Sequence, residues 1–88
     1  MMADVHLPIT LPRVFPDLPR RLDLDAASVD DAIDQLDHRW PGMRDRLCES
    51  RQTLRPHINV FVDRERADLG TRLGPDSRLD VIAAISGG

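Results

Sequence analysis

The last two residues of the sequence, Gly87 and Gly88, are both glycines, and their position suggests a reaction at the terminal carboxyl group. Glycine makes up roughly 7% of residues, so two in succession at the last two positions are expected by chance in about 0.5% of chains. A terminal carboxylate is ionised at neutral pH, since the α-carboxyl pKa is about 3.3 to 3.7, and it must be activated before a nucleophile can attack it. Because glycine has no Cβ, it can enter an enzyme active site that is too narrow for residues with side chains. The ending therefore predicts a carboxyl group that another protein activates.

Two short stretches of alternating apolar residues near the start of the chain predict a β-hairpin. The alternation of Val5 to Leu11 is typical of a half-buried strand, in which Pro8 requires an edge or a bulge because it cannot donate a hydrogen bond to a neighbouring strand. Residues 12–19 hold three prolines and predict a loop. Leu22 and Leu24 then alternate with polar residues and predict the returning strand.

The stretch "SVDDAIDQLDHRW" changes period and predicts a helix. Ser28 is a suitable N-cap, and Asp31 lies three residues later, as the acid of a capping box does. Pro41 and Gly42 end the helix, and Met43 to Leu47 predict one or two further turns with exposed polar residues between them. The apolar stripe that would lie on a sheet consists of Val29, Ala32, Ile33, Leu36 and Trp40.

The second half of the chain predicts two more strands, "HINVFV" and the final "LDVIAAI". The stretch "ESRQTLRP" reads as a polar connection, and residues 63–77 have room for a short strand or a helical turn. A helix between strands of one sheet predicts an α+β fold of the β-grasp type, with a mixed sheet and one main helix on one face. We expect a single domain over residues 1–88, with the last strand central beside the first and residues 86–88 extending beyond the sheet.

Composition narrows the classes of partner. The net charge of −3, from 15 acidic and 12 basic residues, argues against nucleic acid and favours a mildly basic surface on a partner protein. No apolar run approaches the roughly 18 residues of a membrane span, and no export signal is recognised, so we expect a cytoplasmic protein. The chain contains no lysine, so its N-terminus is the only amine that could accept an acyl group.

Three motifs together resemble the ubiquitin-like sulfur-carrier proteins, of the molybdopterin-synthase small-subunit and thiamine sulfur-carrier type. They are "HINVFV" after "LRP", the "WPG" at the end of the helix, and the closing "LDVIAAISGG", and the similarity spans nearly the whole chain. The resemblance implies a β-grasp fold and a carrier that is not itself an enzyme. It also implies a chain that binds no cofactor, while the partner enzyme uses ATP.

Carried over to this sequence, the resemblance implies that a ubiquitin-activating-like adenylyltransferase adenylates Gly88. A sulfur donor protein then converts the carboxylate to a thiocarboxylate, which an acceptor synthase uses in molybdopterin, thiamine or cysteine biosynthesis. Gly87 and Ser86 would occupy the channel of the activating enzyme. Two alternatives stay open: a protein modifier joined through Gly88 to target lysines, and a β-grasp interaction module that is never activated.

Two departures from the family pattern bear on the partner. Where family members often have Asn-Gly, this chain has Asp63 and Arg64, which predicts a hairpin turn of another type or greater length. Near the end of the chain, family members also often have a proline and a second small apolar residue, where this chain has "AAIS" at residues 83–86. Residues beside the terminal segment contact the partner, so this departure bears on the pathway and leaves the chemistry at Gly88 unchanged.

For the remaining candidate functional residues, the sequence favours a structural role or a surface that contacts a partner. Cys48 has an acidic neighbour and no histidine nearby in sequence, so we expect a buried or idle thiol. No metal site is expected from His6, His38 and His57, which are far apart in the sequence. The acidic run on the helix is expected to be a solvated face. Three residues are expected on the uncovered side of the sheet, either as an apolar patch for a partner or buried beneath a loop: Phe61, Ile82 and Ala84.

Overall fold

The computed structural model describes residues 2–8, 15–50 and 52–83. It contains seven strands and two helices in these segments. In chain order they are β1 (Ala3–His6), β2 (Arg21–Leu24), α1 (Val29–Arg39), α2 (Met43–Leu47), β3 (Cys48–Ser50), β4 (Thr53–Leu54), β5 (Ile58–Val62), β6 (Glu65–Ala67) and β7 (Arg78–Ala83).

Five of the strands form one mixed sheet in the order β2-β1-β7-β5-β6. β7 lies in the centre, parallel to β1 and antiparallel to β5, while β1–β2 and β5–β6 are antiparallel hairpins. The predicted α+β fold of the β-grasp type, with one main helix packed on a mixed sheet, is confirmed. The expected place of the last strand, beside the first, is confirmed as well.

The apolar core lies between α1 and one face of the sheet. Along β7, Leu79 and Val81 are buried while the residues between them are not, as alternation requires. The four predicted stripe residues within α1 are buried, and Trp40 is partly buried against the same cluster. Neither described helix is long and apolar enough to span a bilayer.

The start of α1 has the predicted cap, with one difference. The Asp31 amide donates to Ser28 Oγ at 3.1 Å, but the Asp31 carboxylate accepts from the amide of Ala27 at 2.9 Å rather than from Ser28 itself. The amides of Val29 and Asp30 donate to carbonyls of the loop that precedes β7, at 3.0 and 2.9 Å. The first turn of the helix is therefore fixed by main-chain hydrogen bonds to the loop between β6 and β7.

The first predicted strand was placed too far along the chain. β1 begins at Ala3 and ends at His6, and the predicted residues 9–11 lie outside the described segments. Leu7 is buried and its amide still donates to the Arg20 carbonyl at 2.8 Å, but Pro8 has no amide with which to extend the ladder. The strand therefore ends before the proline.

Residues 48–55 contain more structure than the predicted polar connection. Cys48 is buried against the core and pairs with Leu54, so that β3 and β4 form a second, two-stranded sheet. Polar composition concealed this pairing, since most residues of the stretch are exposed.

The prediction for the turn at Asp63 and Arg64 was wrong. The turn has two residues between the paired ends of β5 and β6, and both have positive φ, 51° and 72°, as a type I′ turn requires. Asp63 stabilises it through two contacts to Arg78, where its carboxylate accepts from the amide at 2.9 Å and its own amide donates to the carbonyl at 2.9 Å. The turn is thus fixed against the first residue of β7.

We predict that Arg64→Gly raises the free energy of unfolding by about 0.5 to 1 kcal/mol. The left-handed backbone costs a residue with a Cβ about 1 to 2 kcal/mol, and the greater unfolded-state freedom of glycine offsets part of the gain. Urea denaturation measures the difference. Glu65→Gly is the control, because Glu65 is an exposed strand residue without positive φ and glycine there should destabilise. Equal losses in both variants would contradict the strain at Arg64.

Candidate functional site: the central strand and the open face of the sheet

The segment that carries the predicted activation site follows the central strand directly. β7 ends at Ala83, which pairs with Ile58, the first residue of β5. Residues 84–88, including the predicted Ala84, Ser86, Gly87 and Gly88, lie outside the described residues. The structure therefore places the strand that precedes them, which is paired with β1 on one side and with β5 on the other.

The face of the sheet away from α1 brings Phe61 and Ile82 together. They line one shallow groove of about 350 Å³, which we call the open-face groove and which Arg64, Arg78 and Asp80 complete. Ile82 is 47% exposed, and Phe61 is half-buried. Of the two interpretations of this patch, burial beneath a loop therefore does not hold for Ile82.

Charged side chains flank the apolar part of this groove. The Arg78 guanidinium donates to both carboxylate oxygens of Asp80, from Nε at 2.8 Å and from Nη2 at 3.0 Å. This hydrogen bonding raises the pKa of Arg78 above its usual value. Arg66 Nη2 also donates to Asn59 Oδ1 at 2.6 Å. An apolar centre with a satisfied polar rim is the usual anatomy of a protein–protein contact.

Sequence reasoning had recognised only the apolar residues of this groove. Arg78 and Asp80 precede Ile82 at steps of two in β7, so strand alternation places all three on one face. The signal was present in the sequence. A groove of mixed character was therefore predictable from the same alternation that identified Ile82.

A second ion-pair cluster lies on the same face, on β1 and β2. Asp4 Oδ2 lies 3.0 Å from His6 Nε2, and Asp4 Oδ1 accepts from Arg21 Nε at 2.8 Å. The hydrogen bond with His6, and after it the one with Arg21, lowers the pKa of Asp4 from its ordinary value. The ionised form of Asp4 is thus favoured in the folded state.

Cys48 lacks the setting of a nucleophile. Its side chain is buried, and burial raises the pKa of the thiol, although Arg44 Nη1 lies 4.0 Å from the sulfur. A raised pKa keeps the thiol protonated and inert. Within the described segments, no three His, Cys, Asp or Glu side chains are grouped as metal ligands.

The acidic run on the helix is only partly the expected solvated face, and Arg44 is not exposed as predicted. The Arg44 side chain is 16% exposed, and its Nη2 donates to carboxylates of Asp30 and Asp34 at 2.9 Å each. Burial lowers the pKa of Arg44, but the hydrogen bonds to the two aspartates outweigh it and the net shift is upward. These contacts join α2 to the side of α1. The position of Arg44 in the sequence does not indicate that it forms them.

The comparisons with known proteins give structural neighbours only. No protein-family model matches the chain, and no curated protein matches it. Among solved structures, SAMP1 from Haloferax volcanii has a TM-score of 0.80 and 28% identity, with 100% of both chains covered. A chain of the Amycolatopsis orientalis BexX/CysO complex has a TM-score of 0.84 and 24% identity, covering 98% of this chain and 99% of that one. Urm1 from Trypanosoma brucei has a TM-score of 0.70 and 21% identity, covering 99% and 95%.

These neighbours confirm the resemblance inferred from sequence, since they are ubiquitin-like sulfur-carrier or modifier proteins. Another solved structure of the Haloferax volcanii protein describes it as small archaeal modifier protein 1. The Amycolatopsis structure is a complex in which the similar protein is paired with a second protein.

We predict that Asp4→Asn lowers thermal stability most at pH values above about 4. A carboxyl whose pKa is depressed on folding contributes stability that is present above its unfolded pKa, about 3.9, and is lost as the pH falls through the folded value. The melting-temperature gap between wild type and variant should therefore shrink as the pH is lowered from 6 to 2.5. Asp23→Asn is the control, since Asp23 pairs with Asp4 across the two strands and is exposed. A gap that stays constant with pH would contradict the assignment.

Proposed function

We propose that this chain is a sulfur carrier whose Gly88 carboxyl is adenylated by a ubiquitin-activating-like adenylyltransferase and then converted to a thiocarboxylate. The observation that carries the proposal is the position of β7, a central strand of a β-grasp sheet that leads directly into the segment ending in Gly87 and Gly88. The carrier is not an enzyme in this proposal. It is a cytoplasmic substrate and sulfur donor for partner enzymes.

The chemistry divides into two transfers, both performed by partners. The Gly88 carboxylate attacks the α-phosphate of ATP on the activating enzyme, which forms an acyl adenylate and releases pyrophosphate. Sulfur supplied as hydrosulfide by the sulfur donor protein then attacks the acyl carbon; the carbon–sulfur bond forms, the bond to the phosphate oxygen breaks, and AMP leaves. An acceptor synthase finally uses the thiocarboxylate in molybdopterin, thiamine or cysteine biosynthesis.

This chain supplies a reactive end and a surface by which the partner recognises it. At about 3.3 to 3.6 Å per residue, the five residues after Ala83 reach at most about 18 Å beyond the described part of β7. That reach is sufficient for Gly88 to enter a cleft while β7 stays in the sheet. Glycine at positions 87 and 88 leaves the entering backbone without side chains.

The open-face groove is the proposed docking surface for the activating enzyme. Ile82 and Phe61 supply its apolar part, and Ile82 directly precedes Ala83, the last residue of the described strand, so an enzyme holding the last residues covers this face. Exposed apolar area beside a charged rim is the pattern expected for a partner that binds and then dissociates.

The modifier remains a second candidate. The similarity to small archaeal modifier protein 1, 28% over the whole length of both chains in one structure, favours it. Adenylation of the terminal glycine is common to both candidates. They differ in the final nucleophile, which is sulfur for the carrier and a lysine amine of a target protein for the modifier.

We predict that Gly88→Ala slows ATP–pyrophosphate exchange by the activating enzyme at least about tenfold, because a methyl group at the last residue narrows the fit where the reacting carbonyl must be positioned. The melting temperature should not change, since Gly88 follows the last described residue of β7 by five positions in the sequence. Gly70→Ala, at an exposed loop glycine, is the matched control and should exchange at the wild-type rate. An unchanged rate for Gly88→Ala would remove the support for activation at this residue.

We predict that Ile82→Ser raises the KM for activation by about five- to tenfold with little change in kcat, as expected when a buried apolar contact of roughly 1 to 1.4 kcal/mol is lost. Steady-state kinetics with the activating enzyme measures both constants. Met2→Ser is the control, because Met2 is the other large apolar residue exposed in the described segments, 49% against 47%. Equal effects of the two substitutions would show that Ile82 is not a specific contact.

Immunoblotting of lysate from cells that produce a tagged chain separates the two candidates. The carrier predicts a single small band, because its thiocarboxylate gives up sulfur while the acyl group stays on the chain and forms no stable bond to another protein. The modifier predicts discrete bands of high mass that disappear in a variant lacking Gly88. Such bands, resistant to thiols and dependent on Gly88, would overturn the carrier in favour of the modifier.

A further inference from the structure

A second cleft, of about 530 Å³, lies between α2 and the segment that leads into β5. We call it the basic cleft. Arg46 comes from α2, whereas Arg55 and His57 come from the residues between β4 and β5. Its lining is completed by Gly42 and Asp45. Residues separated in sequence are thus brought together by the fold, and sequence analysis had assigned them no shared role.

Arg55 is held in this cleft by contacts that leave most of its guanidinium free to bind. Its Nε donates to the main-chain carbonyl of Asp45 at 2.8 Å, and its amide donates to the Leu47 carbonyl at 2.9 Å. Neither contact uses Nη1 or Nη2, a pair of nitrogens that can bind the two oxygens of a carboxylate side by side. An anchored guanidinium loses little further freedom when it binds a ligand.

The two arginines of the basic cleft are free of ion pairs with acidic side chains of the described residues, as are five other described arginines: Arg20, Arg39, Arg64, Arg66 and Arg72. Arg21, Arg44 and Arg78 each form an ion pair with an aspartate. The cleft carries two guanidinium groups and one imidazole against the single carboxylate of Asp45. Its local charge is therefore opposite in sign to the net charge of −3.

The location of the cleft connects it with the terminal segment. His57 directly precedes Ile58, and Ile58 pairs with Ala83, the last described residue of β7. The cleft therefore opens at the end of the sheet from which residues 84–88 continue. A standard protein interface covers about 800 Å² per partner, which corresponds to a disc of about 16 Å radius. A protein that takes up the terminal segment would cover the cleft.

We propose that Arg46, Arg55 and His57 form a docking site for acidic side chains of the protein that takes up the terminal segment. The inference rests on the proposed function for the existence of that protein and extends it to the chemistry of the contact. Carboxylates match the cleft, since two guanidinium groups and an imidazole offer converging hydrogen-bond donors. Nucleic acid is disfavoured as the occupant, because the chain as a whole is acidic. The mildly basic partner surface expected from net charge is thus replaced, at this end of the sheet, by an acidic one.

Charge reversal tests the proposal in the activation reaction. Arg46→Glu and Arg46→Glu/Arg55→Glu should raise the KM of the activating enzyme for this chain by about three- and tenfold, leave kcat within about twofold, and weaken the dependence of KM on salt. Arg72→Glu is the matched control, with the same change of charge at an exposed residue that pairs with Ser28 before α1. The eleven residues of α1, about 16 Å of helix, separate this control from the cleft. Arg46 is exposed, so its single variant remains informative if the double variant is unstable.

An independent arm uses ¹⁵N-labelled protein titrated with hexaglutamate, hexalysine and a thymidine hexanucleotide, each at the same ionic strength. Hexaglutamate should shift the amides of residues 46, 55 and 57 and should not do so in Arg46→Glu, while hexalysine leaves them unchanged. No shift with hexaglutamate, or stronger shifts with the oligonucleotide, would overturn the proposal. An unchanged KM in the double variant would overturn it as well.

The two arms keep the inference distinct from the proposed function. If the wild-type chain is activated but reversal of charge has no effect, the cleft is not the docking site and the carrier function stands. If the wild-type chain is never activated, the carrier function fails, and the titration alone decides whether the cleft binds carboxylates.

Discussion

The structure depends on the pairing of β7 along both of its edges. β1 bonds to it in parallel and β5 antiparallel, over Asp4 to His6 on one side and Ile58 to Val62 on the other. A strand held in this way cannot leave the sheet without breaking main-chain hydrogen bonds on both sides and exposing Leu79 and Val81, which are buried beneath α1. The chain that continues from it therefore starts from a fixed point. A terminal carboxyl tethered to a fixed point can be presented to a partner while the domain stays folded.

The two faces of the sheet differ in the residues that they carry. One face, together with α1, supplies the apolar core, and the other carries Phe61 and Ile82 among ion pairs. Residues of β7 alternate between these two faces, so successive residues lie either in the apolar core or along the open-face groove. The basic cleft adds a third surface, at the end where β7 leads into the terminal segment. In the function proposed above, a partner that receives this segment would meet an apolar groove and a charged cleft within one footprint.

Much of the fold was predictable because local signals agreed with the tertiary structure. Alternation identified the strands at both ends of the chain, Ser28 identified the start of the helix, and Gly42, whose φ is 100°, marked the turn after it. The place of β7 beside β1 was predicted from the order of the elements, in which a helix lies between strands of one sheet. The positions of the strands, the helix start and the turn are set by residues near one another in sequence, which is why sequence patterns report them.

The errors arose where contacts distant in sequence decide the outcome. Arg64 adopts a positive φ because the neighbouring Asp63 is bound to Arg78, fifteen residues further along the chain from it, and no local preference of arginine indicates this. Arg44 is withdrawn from solvent by aspartates on another helix, ten and fourteen residues away. Arg46, Arg55 and His57 meet only when α2 packs beside the start of β5. Sequence periodicity carries no information on contacts between residues this far apart. The predicted activation site, in contrast, was suggested by residue type and by position at the end of the sequence.

The central claim is that the carboxyl of Gly88 is the reactive group of this protein. The mass of the protein after activation tests this claim most directly. The chain is incubated with ATP, its activating enzyme and a sulfur donor, and the intact protein and its last proteolytic fragment are weighed. Exchange of oxygen for sulfur at the acyl position should add about 16 Da to both, with every other fragment unchanged. A mass that does not change, or a gain that falls on a fragment other than the last, would contradict the account.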